Sequence, residues 1–163
     1  MASGNMKVIK RRIKSVESTM QITKAMELVA SSKLRKAKEK ADKARPYFNA
    51  LYDTMCEIEA ENPKFLSPFT RRSGEGKSLL IIIAGDRGLA GGFNNNIFKL
   101  AQARIDELGG IDKVDILPIG KKAVEYYEKR GYNLMAQYQN ICESIRIVEA
   151  EEIAESIVAP YIK

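Results

Sequence analysis

The first part of the chain carries apolar or small residues at alternating steps of three and four, the spacing of a coiled-coil seam. No glycine or proline interrupts the sequence from Asn5 to Arg45, so the pattern predicts a continuous helix of roughly 60 Å over that range alone. Pro46 is expected to bend the helix without ending it, because the seam keeps its phase beyond the proline. The large apolar members predicted to face a partner helix are Ile13, Val16, Met20, Leu34, Phe48, Leu51, Met55 and Ile58.

Alanines dominate the seam between residues 30 and 44, and small seam residues imply a closely approaching partner helix. The alternative is a solvated amphipathic helix lying on a globular body. The length of the pattern favours the coiled coil, since a helix this long cannot bury such a seam against a small domain.

After residue 60 the pattern changes to short apolar runs that alternate with helical segments. Residues 61–77 contain two prolines and two glycines and are predicted to form a linker. Residues 78–163 predict a Rossmann-like domain with a mainly parallel sheet, so that the fold class is α/β with a long N-terminal coiled-coil helix in residues 1–60. The predicted strands are 78–84, 114–120 and 130–138, and the predicted helices are 94–108, 121–129 and 149–159.

Four glycines lie within eight residues after the first predicted strand, in the sequence AGDRGLAGGFN. Both a phosphate cradle and a sharp strand-to-helix corner would place glycines here. The spacing differs from the GxGxxG of dinucleotide sites, and the nearby GEGKS has Arg71 where a Walker A loop requires its first glycine. These mismatches favour a structural turn, formed by Gly85, Asp86, Arg87, Gly88, Gly91 and Gly92.

The composition excludes several classes of site. Histidine is absent, which removes Ser-His-Asp and Cys-His catalysis and every zinc site that uses imidazole. Cys56 and Cys142 have no CxxC spacing, so we expect free thiols. The longest apolar run, 79–84, is too short to span a bilayer, and no apolar signal segment is present at the N-terminus. We therefore expect no cofactor or metal, and membrane association only through partners.

The positive charge is concentrated in one segment. Residues 1–45 contain 13 Lys and Arg against four Asp and Glu, a net charge of +9, whereas residues 46–163 contain 14 against 17, a net charge of −3. Charge alone would permit a basic helical arm that binds nucleic acid. Residues 1–46 contain no aromatic side chain that could stack on bases, which argues against that alternative.

Two motifs carry a resemblance to a known family. AGDRGLAGGFN is similar to the SDRGLCGGFN signature of the gamma subunit of F-type ATP synthases, and MQITKAMELVASSKLRKA resembles the other hallmark of that family. ARPYF, PIGKK and Gly131-Tyr132 follow in the expected order, so the resemblance covers the whole chain. The sequence departs from the family at Ala90, where the signature has cysteine.

The resemblance implies a central-stalk rotor. In this family the coiled coil stands inside a hexamer of alternating alpha and beta subunits, and the globular part lies on the membrane c-ring with the epsilon subunit. Rotation couples proton flow to ATP synthesis or hydrolysis and regulates the ATPase activity, while the gamma chain itself is non-catalytic. The implied location is peripheral, on the cytoplasmic face of the bacterial plasma membrane. Family members continue into a second long helix, so we expect this chain's own C-terminal helix to be a missing partner.

Some residues of the basic helix are expected to contact the alpha/beta hexamer through charge and packing. For a single lysine, a solvated face is the simpler interpretation, but the group is better explained by an acidic partner. A third alternative is a nucleotide-dependent enzyme that uses the glycine corner. The predicted contact residues are Lys24, Met26, Lys33, Arg35, Lys36 and Lys40.

Overall fold

The computed structural model describes residues 2–62, 67–69 and 76–162, with side chains from residue 5 onward. Residues 63–66 and 70–75 of the predicted linker, including Arg71 and the start of GEGKS, lie outside this described part. The chain divides into two units, residues 1–65 and residues 66–163, and each is described by itself.

The first unit is one helix, α1, which spans Ala2–Glu61 and contains Pro46 in its interior. At 1.5 Å per residue its 60 residues extend over roughly 90 Å. The hydroxyls of Thr19, Thr23 and Thr54 donate to backbone carbonyls four residues earlier, at 3.0, 2.9 and 2.8 Å. The predicted long N-terminal helix is therefore confirmed, and it continues through the proline as expected.

The second unit is built on two parallel strands, β1 at Ser78–Ile83 and β2 at Val114–Ile119. Their register runs from Ser78 opposite Val114 to Ile83 opposite Ile119. Parallel neighbours require a crossover, which is supplied by helix α2 at Phe93–Glu107 and a 3-10 turn at Ile111–Lys113. The α/β class with a parallel sheet is confirmed.

The predicted third strand, 130–138, is present only as two isolated parallel bridges, between Leu134 and Ile116 and between Tyr138 and Ile119. Ile116 donates to Asn133 O and accepts from Met135 N, both at 3.0 Å. Two residues further along β2 the next donor in this ladder would be residue 118, which is proline and has no N–H. The missing donor at Pro118 explains why the pairing breaks and resumes only at Tyr138.

Two helices follow the sheet, α3 at Lys121–Glu128 and α4 at Ile147–Ile162. Apolar side chains from β1, β2, α2 and α3 form one core, with further contacts from Tyr132 and Leu134. Among the described residues, no helix is both long and apolar enough to cross a membrane. The buried apolar residues of this unit are Ile82, Ala84, Phe98, Ala101, Ile105, Val114, Ile116, Leu117, Ile119, Ala123, Val124 and Tyr127.

Candidate functional site

Asp86, in the glycine corner, connects three parts of the second unit. Its Oδ1 accepts from the backbone N–H groups of Lys121 at 2.9 Å and Asn140 at 2.7 Å, and its Oδ2 accepts from that of Cys142 at 3.2 Å. Lys121 is the first residue of α3, where free N–H groups and the helix dipole attract an anion. The carboxylate of the chain itself therefore takes the position that a bound anion would take at α3.

The electrostatics of this cluster follow from the same contacts. Burial raises the pKa of the Asp86 carboxyl, but the hydrogen bonds from Lys121, Asn140 and Cys142 outweigh it and hold the pKa below the usual value. Burial, together with the charge of Asp86, raises the pKa of the Cys142 thiol to about 11. Cys142 is consequently a neutral thiol at physiological pH, and its Sγ lies 3.4 Å from Ala84 O.

The corner is held against α2 and α3 by hydrogen bonds of its backbone to a side chain of α2 and to the backbone of α3. Gly85 N–H donates to Asn94 Oδ1 at 2.9 Å, and Gly85 O accepts from Lys122 N–H at 3.0 Å. Phe93 N–H, at the start of α2, donates to Ala90 O at 3.2 Å. These contacts use the polar groups that a phosphate would need at Gly85 and Phe93, which supports a turn over a cradle.

The predicted turn glycines differ in what the backbone requires of them. Gly91 has a φ of 54°, in the left-handed region that favours glycine, and a side chain at Gly85 would lie 3.3 Å from Arg87 O. Gly88 does not have a positive φ, and nothing lies within 4 Å of the place where its Cβ would be. The backbone bends at residues 86–88, but neither a positive φ nor a close neighbour requires glycine at Gly88. Gly92 is the N-cap of α2, with a φ of −82°.

The position that most strongly requires glycine is Gly120, which our sequence analysis did not single out. It lies between β2 and α3 with a φ of 96°, and a Cβ there would lie 2.1 Å from Ala84 O. Its N–H donates to Tyr138 O at 2.7 Å. The available signal was its place in PIGKK, directly between a strand and a helix. Asn94 and Cys142 had no comparable signal, since their contacts depend on residues distant along the chain.

The predicted seam lies entirely on α1, and all of its large apolar members are exposed, by between 48% and 70%. Soluble proteins rarely leave a contiguous apolar surface uncovered unless it binds another molecule. The exposed seam residues are Ile13, Val16, Met20, Leu34, Phe48, Leu51, Met55 and Ile58.

The predicted contact residues also lie on α1 and are all exposed. Arg35 pairs with Glu39 at 3.9 Å, and Arg45 pairs with Asp42 at 3.8 Å. Such exposed pairs stabilise a helix little, and they leave the segment strongly basic. The remaining predicted contacts that share this surface are Lys24, Met26, Lys33, Lys36 and Lys40.

Comparison with known proteins decides the family. The family model described as ATP synthase matches residues 5–163. The ATP synthase gamma chain of Ruminococcus albus is 54% identical over 158 residues, covering 95% of this chain and 54% of the relative. That of Alkaliphilus metalliredigens is 42% identical, covering 92% of this chain and 51% of the relative. The chain belongs to the gamma-chain family of F-type ATP synthases. The resemblance carried by the two motifs is thereby confirmed.

One relative is named for an ion. The gamma chain of Acetobacterium woodii, named as sodium ion specific, is 38% identical and covers 94% of this chain. The chain spans about half the length of the curated gamma chains it matches.

Proposed function

We propose that this chain acts in the central-stalk rotor of an F-type ATP synthase, coupling ion flow through the membrane ring to ATP synthesis or hydrolysis in the alpha/beta hexamer. The ion that the resemblance implies is the proton. The observation that carries the proposal is α1, a single helix of 60 residues whose apolar seam is exposed along its length. A rotor shaft requires a long, stiff element that is not buried in its own domain.

The charge of α1 supports a partner of opposite sign. The net charge of +9 in residues 1–45 is on the helix and exposed, so it favours acidic loops of the alpha and beta subunits as the surrounding surface. The contacts proposed for this surface are Lys24, Met26, Lys33, Arg35, Lys36 and Lys40. The further proposed partners are the epsilon subunit, the c-ring, and a second helix that covers the seam.

The proposal assigns no bond-making chemistry to this chain. Histidine is absent from the sequence, and the one carboxylate at the glycine corner, Asp86, is engaged by three backbone N–H groups. A role in regulating the ATPase activity through rotation is compatible with that composition. The proposed location is peripheral, on the cytoplasmic face of the bacterial plasma membrane, held by the complex.

The nucleic-acid alternative receives no support from the comparisons, which match the ATP synthase family from residue 5 to residue 163. The exposed apolar seam is also surface that bound phosphates would not need.

Assembly tests the proposal directly. The chain is co-expressed with the alpha, beta and epsilon subunits, purified through a tag on beta, and the complex is weighed by native mass spectrometry. We expect the chain in the complex, and we expect it to be lost when Val16 and Leu34 are both changed to Glu. The control is a double change outside α1, Asp112→Lys with Glu128→Lys, at two exposed positions. Leu108→Glu is avoided because Leu108 packs against the core. Absence of the unaltered chain from the complex, with salt-sensitive binding to arbitrary RNA instead, would contradict the proposal.

A further inference from the structure

Helix α4 carries an apolar stripe on the side that faces away from the second unit. The opposite side is turned inward, since Ile153, Ser156 and Ile157 are half-buried. The members of the stripe follow one another at steps of three, four, four and three, which keeps them on one side of the helix. All of them are exposed. This α4 outer face consists of Ile147, Ala150, Ala154, Val158 and Tyr161.

The apolar surface continues beyond the end of the helix. Tyr161 stacks on Phe69 with ring centroids 6.3 Å apart, and its hydroxyl donates to Phe69 O at 3.0 Å. Both rings nevertheless remain more than half exposed. The stripe therefore joins a second exposed apolar group within the same unit, as is typical of a binding surface.

Every charged residue of α4 is acidic. Residues 147–162 contain four Glu and no Lys or Arg. Glu149 pairs with Arg146 at 2.7 Å, whereas Glu151 and Glu155, one turn apart beside the outer face, form no ion pair within the described part of the chain. An apolar face with this charge repels anionic lipid and nucleic acid and attracts a basic surface.

One segment of α1 has the same apolar spacing with the opposite charge. Its seam positions are Leu34, Ala37, Ala41 and Ala44, at steps of three, four and three, and all are exposed. The positions directly beside this seam in a coiled coil are all basic. They are Lys33, Lys38, Lys40 and Arg45. A carboxylate on a partner helix would therefore meet a cation on either edge of the segment.

Charge and side-chain size favour pairing these two faces with each other over pairing either with its own kind. Two α1 segments would set Lys38 and Lys40 against other cations, and two α4 helices would set Glu151 and Glu155 against other carboxylates. The α4 outer face has alanine at its centre, as the α1 segment does, so the two helix axes can approach closely.

We propose that the α4 outer face binds the basic segment of α1, residues 33–45, of a second copy of this chain. Apolar packing along Ile147, Ala154 and Val158 provides the contact area, and Glu151 and Glu155 select the basic partner. The proposal does not rest on the proposed rotor function, and it fails or stands without reference to the alpha and beta subunits. Lys40 also belongs to the surface proposed to meet the hexamer, so one α1 segment would serve only one of the two contacts at a time.

The test is a charge swap in the full chain. Self-association is measured by sedimentation velocity over a range of protein concentrations. One variant carries Glu151→Lys and Glu155→Lys on α4, a second carries Lys38→Glu and Lys40→Glu on α1, and a third carries all four changes. The control carries Asp112→Lys and Glu128→Lys, which change the net charge as much as the α4 variant does, at exposed positions outside α4.

We expect the unaltered chain to self-associate, and to do so more weakly at about 1 M than at about 0.1 M salt, because exposed charges are screened. Each of the first two variants should weaken the association by about tenfold or more, since it sets like charges against each other. The variant with all four changes should associate again, because the acidic and basic groups have exchanged helices. The control should associate like the unaltered chain.

Three results would overturn the proposal. One is a chain that stays monomeric at every concentration. Another is association that the α4 variant leaves unchanged, since α1 would then pair with α1 of the other copy. The third is failure of the variant with all four changes to associate while it retains the helical circular dichroism of the unaltered chain, which would show that the two sets of charges do not meet.

Discussion

Asp86 shows how one carboxylate can replace a ligand. Its two oxygens accept from three backbone N–H groups that lie 35, 54 and 56 residues away along the chain. The contacts lower its pKa in spite of the opposing effect of burial, so the charged form is the one that stabilises the fold. The corner that resembles a phosphate cradle is thus organised around an acid of its own.

Asp86→Asn should destabilise the second unit by roughly 1.5–3 kcal/mol at neutral pH, because an amide cannot accept as a carboxylate does and brings two N–H donors. Because the folded pKa lies below the ordinary 3.8, the stabilisation is complete at neutral pH, declines as the pH falls past 3.8, and is lost below the folded value. Urea unfolding at several pH values measures this. Asp112→Asn, at an exposed position, is the control. Equal stability losses at neutral pH would contradict the assignment.

Tyr127 is fully buried, and its hydroxyl has no hydrogen-bond partner among the described residues. Burial raises the pKa of this phenol, so it stays neutral. Tyr127→Phe should change the free energy of unfolding by less than about 1 kcal/mol, or raise it, since it removes an unsatisfied polar atom. Tyr132→Phe is the matched comparison, because its hydroxyl bonds Gln102 Oε1 at 3.1 Å. A greater loss at Tyr127 than at Tyr132 would show that the first hydroxyl is satisfied after all.

Gly120 and Gly88 should respond oppositely to the same substitution. At Gly120 an added Cβ would overlap Ala84 O and hold a left-handed φ, so Gly120→Ala should cost roughly 3 kcal/mol or prevent folding. At Gly88 the space is open, so Gly88→Ala should stay within about 0.5 kcal/mol. Thermal unfolding of both variants checks the pair, and a comparable loss at Gly88 would contradict the open space around that residue.

At the scale of elements, the regular segments could be predicted well from periodicity. The predicted helix 94–108 and strand 114–120 agree within one residue with Phe93–Glu107 and Val114–Ile119. The prediction of a third strand at 130–138 was wrong because the neighbouring strand, β2, contains Pro118, which has no N–H to donate to the ladder. Contacts such as Asp86 with Asn140 could not be predicted, because no local pattern records which distant N–H group a carboxylate meets.

Pro46 gives an element-scale test on α1. A proline inside a helix removes one backbone donor and crowds the preceding turn, which leaves the carbonyl of Asp42 without its usual bond. Pro46→Ala should stabilise the surrounding turns by roughly 3 kcal/mol, since alanine restores the donor. Hydrogen exchange should slow for amides near residue 46 and remain unchanged near residue 20. Unchanged exchange around residue 46 would mean that the helix there is limited by fraying, not by the proline.

At the scale of the whole molecule, the proposed function makes α1 the element through which the protein associates. Burial of its exposed apolar seam favours packing against another helix. Its net positive charge favours acidic surfaces around that helix. Packing then decides the strength of assembly, while charge decides its dependence on salt.

Replacing Lys33, Lys36 and Lys40 together by Gln should weaken binding to the alpha/beta hexamer more at low salt than at high salt. Exposed charges are screened over a Debye length of about 10 Å at 0.1 M salt, so little electrostatic attraction remains to be lost at high salt. Binding isotherms at two salt concentrations measure the effect. Replacing Glu57, Glu59 and Glu61 by Gln changes the charge of the same helix in the opposite direction and is the control. A defect of equal size at both concentrations would indicate packing in place of charge.

The three hydrogen bonds of Asp86 also set an order of events during synthesis. At 5–20 residues per second, a ribosome needs roughly 3–11 s to add the 56 residues that separate Asp86 from Cys142. Helix α1 depends only on bonds within itself, so it can form as it leaves the exit tunnel. The glycine corner emerges next, and the Asp86 carboxylate stays hydrated until Asn140 and Cys142 have been added and can donate to it. The nascent chain therefore displays a finished basic helix for several seconds before the domain behind it can fold.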